Sequence, residues 1–171
     1  MDMPATLDGP TVTRDFEALI GPCIEPGYRL AVTMLGDPQE ARDAVQEAAI
    51  RAWRSLGRLR EPQQARTWFL SIVANQCRST IRRHWWSFGR HPLPALAAVP
   101  EAGAVEQKVD IAAGIARLPA ADRAILQLHF YMDLPLEEVA RVLGISTGAA
   151  RSRLYRAARR LRPNLIEEAL Q

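Results

Sequence analysis

Six arginines crowd one stretch near the end of the chain: Arg151, Arg153, Arg156, Arg159, Arg160 and Arg162, with no acid among them. Wound as a helix at about 100° per residue, Ala150, Leu154, Ala157 and Leu161 form a narrow apolar stripe. Arg151, Ser152, Tyr155, Arg156 and Arg159 fall on the opposite side. One side packs; the other presents cations, a hydroxyl and an aromatic ring. That is the chemistry of a helix in a DNA major groove, where guanidinium forks reach guanine edges and phosphates. Just upstream, Val139, Ala140 and Leu143 share an inward face, Gly144 suits a left-handed helix end, and Ser146 suits the cap of the next helix. Read alone, this helix-turn-helix fits either a DNA binder or a protein-binding helical hairpin.

A second set of residues points to a different nucleic-acid chemistry. No acid occurs from Pro62 through Pro100. That span holds Arg66, Arg78, Arg82, Arg83, Arg90, His84 and His91, interleaved with Trp68, Trp85, Trp86 and Phe88. Cations that follow phosphates and rings that stack on bases suit a single strand. A helix from about Thr67 to His84 turns Phe69, Leu70, Val73, Cys77 and Ile81 inward and Asn75, Arg78, Ser79 and Arg82 outward. Trp68 reads as core; the Trp85–Trp86 pair either stacks on bases or caps a helix end.

Catalytic chemistry is not expected. His84, His91 and His129 lack metal-ligand spacing with Cys23 or Cys77. Neither a phosphate-cradling glycine loop nor a nucleophile motif occurs. No cofactor, metal or small-molecule substrate is therefore expected. Cys77 reads as a small core residue; for Cys23, in a proline-broken segment, the sequence leaves exposure and redox activity open.

The elements that position these residues are all helical. The 171 residues carry 48% hydrophobic side chains, enough for a core, and a net charge of only +3. Lys108 is the only lysine, so almost all the basic charge is arginine. Residues 1–13 read as a tail. An amphipathic pattern runs from Arg14 to Leu35, and Pro22 and Pro26-Gly27 are expected to break or kink it. Asp37-Pro38 starts a second helix that stops at Gly57. Its packed stripe is Ala41, Val45, Ala48, Ala49, Ala52, Trp53 and Leu56; Glu40, Asp43, Gln46, Glu47 and Arg54 face away. The loop Arg58–Arg66 leads to the third helix. Pro92, Pro94, Pro100 and Gly103 mark residues 87–110 as a linker. Beyond it come short helices at Ile111–Arg117 and Ala120–Met132, the second with Ala124, Ile125, Leu128 and Met132 inward. The expected architecture is all-α: helical domains at 14–86 and 111–163 on a flexible tether. Met1–Asp15 has no apolar core segment and no apolar run is long enough to span a bilayer, so a cytoplasmic protein is expected. The short tail after Pro163 leaves little room for a further domain.

Two motif sets in order carry a resemblance. Leu118-Pro119, Asp122-Arg123, Leu136-Glu137-Glu138-Val139-Ala140, Leu143-Gly144, Gly148, Arg151-Ser152-Arg153-Leu154 and Arg156-Ala157 resemble the C-terminal domain of bacterial sigma factors. The resemblance is to the small extracytoplasmic-function group of the sigma-70 family. Gly36-Asp37, Ala41, Asp43-Ala44-Val45-Gln46-Glu47, Arg51-Ala52-Trp53, Arg66-Thr67-Trp68, Ile72 and Asn75 resemble that group's N-terminal domain. The resemblance implies a protein that binds core RNA polymerase, directs it to a promoter and helps open the duplex.

It implies that Arg151, Ser152, Tyr155, Arg156 and Arg159 meet the −35 duplex, with Ser146, Gly148 and Ala149 bringing a helix N-terminus to phosphates. It implies that Arg66, Trp68, Asn75, Arg78, Ser79, Arg82 and Arg83 read the opened −10 strand, and that Asp43, Gln46 and Glu47 meet polymerase. Arg153, beside the apolar stripe, takes a phosphate or structural role. An anti-sigma partner, often membrane-bound, is a further implication. This chain departs from the family pattern in places. Glu61-Pro62 and Ala65 stand where Gly-Asp and an aromatic are usual, Pro135 where Ser or Thr begins a helix, and Ala149 where threonine is common. A conventional helix-turn-helix regulator, binding duplex DNA unaided, is the rival reading; the acid-free, tryptophan-bearing segment argues against it.

Overall fold

The computed structural model describes residues 10–88 and 114–161, and every regular element within them is helical. The expected tail before residue 10, the linker beyond residue 88, Ile111–Ala113 and the stretch from Arg162 lie outside the described residues.

Three helices build the first half. α1 spans Pro10–Leu35, α2 spans Pro38–Ser55 and α3 spans Ala65–Phe88, and each packs on the other two. α1 corrects two expectations. It begins at Pro10, inside the expected tail, and it runs unbroken through Pro22 and Pro26. Each interior proline deletes a backbone bond and costs about 3 kcal/mol or more. Against this, Ile20, Leu30, Met34 and Leu35 are buried on one continuous side that spans both prolines. Full burial of each such side chain contributes roughly 1.5–3 kcal/mol, and breaking the helix would lift one end off the core. Continuity also settles the place of Cys23. One turn after Ile20, it points inward, 5% exposed, with its thiol donating to the Leu19 carbonyl at 3.4 Å.

α2 starts as its sequence directs. Asp37 caps it, its carboxylate accepting the Glu40 N–H at 2.8 Å, and Pro38 occupies the first turn. Ala41, Ala44, Val45, Ala48 and Ala52 face the core, and such small side chains let α2 lie close to its neighbours. Short 3-10 turns at Leu56–Arg58 and Pro62–Gln64 lead into α3, which extends beyond both expected bounds.

The second half follows a helical turn at 114–116. α4 spans Ala120–Leu126 and continues as a π-helical turn over Gln127–Tyr131, closed by the Met132 N–H to the Gln127 carbonyl at 3.0 Å. Ala124, Ile125, Leu128 and Met132 face the core as expected. α5 spans Leu136–Leu143 and α6 spans Thr147–Leu161. Gly144 ends α5 in the left-handed conformation (φ 64°). Its N–H reaches Arg141 and that of Ile145 reaches Ala140, the paired bonds of a glycine-closed helix end.

The halves touch: α5 lies on α3, and α4 packs on α1. Buried side chains from both form one cluster.

Two measurements check this packing. Gly27 sits beneath Phe69, and a Cβ there would lie 2.9 Å from a carbon of that fully buried ring. Gly27→Ala gains helix propensity yet should lose about 1–2 kcal/mol of stability in urea titration, because the ring has nowhere to go. Burial pushes the Cys77 thiol from an ordinary 9.0 up to about 12. Its contribution to stability is therefore complete below pH 9.0 and lost as pH rises towards about 12, where the folded thiol also ionises. Urea midpoints of Cys77→Ala should fall less steeply than those of the parent chain across that window.

Candidate nucleic-acid interface

The outward face of α6 gathers the predicted duplex-facing residues. Arg151, Ser152, Tyr155, Arg156 and Arg159 are all exposed, while Ala150 and Ala157 are fully buried and Leu154 and Leu161 pack partly against the core. Tyr155 is 63% exposed, and the Arg159 guanidinium lies 5.9 Å from its ring centre. Ser146 caps the helix, its hydroxyl accepting the Ala149 N–H at 3.1 Å. Gly148 and Ala149 are exposed in the first turn, where the helix dipole favours an anion.

The arginines of α6 divide into two kinds. Arg160 pairs with Asp122, and Arg153 stands 4.0 Å from the same carboxylate. Asp122 is buried at the start of α4, so these two arginines fasten α6 to its own domain. Arg151, Arg156 and Arg159 remain directed outward. A single acid from another helix therefore sorts structural from ligand-facing cations, a sorting that a helical wheel of α6 alone does not contain.

On α3 the predicted strand-facing residues separate. Asn75, Arg78 and Arg82 line one side. Asn75 is exposed and its side-chain oxygen accepts from Arg78. Arg78 also donates to the Leu143 carbonyl at the end of α5, at 2.8 Å. Burial lowers its pKa, with repulsion from Arg82 and, more weakly, Arg153 adding to the effect. Arg66, exposed at the start of α3, donates to the Met132 carbonyl at 3.1 Å. Trp68 is half-buried against the core. Ser79 and Arg83 lie on a different side. With Glu40, Asp43, Glu47, Arg51, Gln76, Thr80 and His84 they line a polar groove of about 590 Å³ between α2 and α3. Arg83 donates to the Thr80 hydroxyl at 3.3 Å, and His84 approaches Glu40 at 3.0 Å. At the far end of α3, Trp85 is 60% and Trp86 86% exposed, so the pair is presented rather than packed.

Asp43 and Gln46 are exposed on α2, and Glu47 is partly exposed beside Arg51.

Sequence reasoning missed the residues that join the halves. Arg123, 5% exposed, donates to the carbonyls of Thr33 and Met34 in the last turn of α1, at 2.7 and 3.1 Å. It also holds the Leu118 carbonyl at 2.8 Å, and burial lowers its pKa. The Thr67 hydroxyl donates to Glu138 at 2.6 Å, and Arg29 donates to the Tyr131 hydroxyl. These pairs are separated by 71 to 102 residues in sequence, beyond the reach of any local pattern.

Comparison with known proteins bears on both halves. A family model described as Sigma-70 region 2 matches residues 26–87, and one described as Sigma-70, region 4 matches residues 114–163. The chain is 31% identical over 148 residues to the ECF RNA polymerase sigma factor SigL of Mycobacterium tuberculosis, covering 82% of each. It is 27% identical over 168 residues to the RNA polymerase sigma factor SigV of Bacillus subtilis, covering 90% of this chain and 95% of that one. Among solved structures, it shares its fold with the sigma factor RpoE, seen in complex with the anti-sigma factor NepR from Bartonella quintana. There the TM-score is 0.76 at 21% identity, over 89% of this chain and 97% of that one. CnrH, solved with the cytosolic domain of CnrY, matches with a TM-score of 0.64 at 22% identity, over 91% and 90%.

Proposed function

The chain belongs to the sigma-70 family, as an ECF RNA polymerase sigma factor that directs promoter-specific transcription initiation, and from that premise we propose how its surfaces divide the work. The outward face of α6 reads the −35 duplex. Arg151, Ser152, Tyr155, Arg156 and Arg159 meet base edges and backbone, and Ser146, Gly148 and Ala149 bring the helix start to a phosphate. One observation carries this reading: Arg153 and Arg160 are engaged by Asp122 of another helix, whereas Arg151, Arg156 and Arg159 are exposed beside an exposed tyrosine.

The α3 side reads the opened −10 strand. Arg66, Arg78 and Arg82 follow phosphates, and Asn75, with both a donor and an acceptor, meets a base edge. Trp68 supports this helix from the core. Trp85 and Trp86, exposed beyond Arg82, offer stacking surface for flipped bases, whose unstacking costs a few kcal/mol that the protein must return. Ser79 and Arg83 serve the same strand from the groove side, next to Asp43 and Glu47. The acidic face at Asp43, Gln46 and Glu47 meets core polymerase. Residues 14–86 and 111–163 act as the two reading domains, and residues 87–110 act as the tether.

The protein works by binding and needs no catalysis, cofactor or small-molecule substrate of its own. It acts in the cytoplasm, where its polymerase is; no described helix is long and apolar enough to cross a membrane. The anti-sigma factor NepR bound to RpoE, and the cytosolic domain of CnrY bound to CnrH, support an anti-sigma partner here, one held at a membrane.

Run-off transcription with sigma-free core polymerase over a promoter library tests the reading. The full chain should start transcription on a subset of templates. Arg156→Ala should lower initiation about tenfold, the effect of one lost guanidinium–base contact, with core binding unchanged. Loss of core binding in that variant would overturn the division of labour.

A further inference from the structure

We propose that Asp122 determines promoter selectivity by withholding two arginines of α6 from DNA. While Arg153 and Arg160 are held, the sequence-independent attraction of α6 stays low, and its base contacts decide where the helix docks. The proposal rests on the reading of α6 as the −35 reader.

The two arginines stand where a helix in the major groove meets phosphates. At about 100° per residue, Arg160 and Arg153 lie roughly 40° and 60° round α6 from Arg156, between the outward face and the apolar stripe. The major groove is about 12 Å wide and a helix with its side chains about 10–12 Å across, so flank positions meet the groove walls. Those walls are sugar and phosphate, and a guanidinium fork suits them well. By type and place, Arg153 and Arg160 are phosphate ligands.

Asp122 takes both. Its carboxylate, at the start of α4, accepts from Arg160 and stands 4.0 Å from Arg153. The Asp122 side chain is only 11% exposed, against 30% for Arg153 and 53% for Arg160. The acid is fixed in place, where salt screens it little. The cations keep access to solvent, so a released guanidinium can swing outward while the helix stays put. Arg159 is treated in the opposite way. It lies over the exposed Tyr155 ring at 5.9 Å, held on the outward face with its charge intact.

The consequence is selectivity as well as attraction. Phosphate contacts are alike on every sequence; base contacts are not. On the element it recognises, base contacts fix the roll of α6, and a flank arginine meets only what lies opposite. On any other duplex the helix can roll and slide until each free arginine finds a phosphate. Free flank arginines therefore favour the wrong duplex more than the right one. Each phosphate neutralised steepens the dependence of log affinity on log salt by about 0.9, which at 0.1 M salt is roughly a tenfold gain. Asp122 is buried and anionic, so it acts through the arginines as a positioning residue.

Binding of the full-length chain to two short fluorescent duplexes, across a salt series, tests this. One duplex carries the −35 element of the best template in the promoter library; the other carries the same bases scrambled. Asp122→Asn should bind the scrambled duplex about tenfold more tightly at 0.1 M salt, with a slope steeper by about 1–2. Its affinity for the −35 duplex should rise less, so the ratio between the two falls. Asp122→Asn combined with Arg153→Gln and Arg160→Gln should return the slope and the ratio to those of the parent chain. Weaker binding to both duplexes in Asp122→Asn, or an unchanged slope, would make the acid structural only and overturn the proposal. Arg160→Gln decides the matter even if Asp122→Asn does not fold, because Asp122 keeps Arg153 as a partner. Its slope should equal that of the parent; a slope shallower by about 1 would place Arg160 on a phosphate already and overturn the withholding. Arg156→Ala separates the premises, since it should weaken the −35 duplex more than the scrambled one. If it does not, the reading of α6 has failed and this proposal with it. If it does while Asp122→Asn leaves the slope unmoved, only the withholding has failed.

Discussion

A helix leaves its last carbonyls without partners, and the joint of this molecule is made of arginines that supply them. Arg123 reaches α1, Arg78 reaches α5, and Arg66 reaches the carbonyl after the π-helical turn. Much else depends on this. The approach of α4 to α1 takes Arg123 out of water, and a buried charge is tolerated only with a full set of hydrogen-bond partners. Leu118, Met132 and Leu134 are then covered within the shared core. The same contacts bring Glu138 to Thr67 and lay α5 along α3. Guanidinium suits such a joint better than ammonium does, because its planar fork spans two carbonyls and never loses its charge.

The small net charge hides an uneven distribution. α3 and α6 carry arginines and no acid, whereas α2 carries Glu40, Asp43 and Glu47 beside Arg42, Arg51 and Arg54. Between them, Asp122 commits two arginines of α6 to structure and so leaves the remainder for a ligand. The surfaces that result are of modest size. Each needs the others, since polymerase and the connection between domains hold the second contact at high effective concentration once the first is made. On the proposed division of labour, promoter specificity belongs to the combination of duplex and strand contacts, with electrostatic attraction supplied by phosphate contacts that carry no sequence information.

The features legible in the sequence were those set by neighbours along the chain. Asp37-Pro38 as a helix start, Gly144 as a left-handed helix end, Ser146 as a cap and the apolar stripe of α6 each depend on a few adjacent residues, and each appears in the fold. The family could also be read, because its motifs are local and ordered. What failed was local reasoning where tertiary packing overrules it. Pro22 and Pro26 carry the ordinary penalty, but a buried face running past both keeps α1 whole, and Cys23 turns inward as a consequence. What could not be read at all was the joint. Nothing near Arg123 says that two of its partners lie some ninety residues earlier, and nothing near Arg78 says that a helix end will occupy it. The positions of Ser79 and Arg83, in the groove with Asp43 and Glu47, likewise follow from how α2 meets α3 and not from the period of α3 alone.

The central claim is that one chain reads a duplex with α6 and an opened strand with α3. Site-specific photocrosslinking in the reconstituted polymerase–promoter complex addresses it most directly, with the crosslinker at Asn75 in one preparation and at Tyr155 in another. The account predicts that position 75 labels a single opened strand of the −10 element, and only after melting, whereas position 155 labels the −35 duplex before and after melting. Labelling of the −35 duplex from position 75, or of the melted strand from position 155, would contradict it.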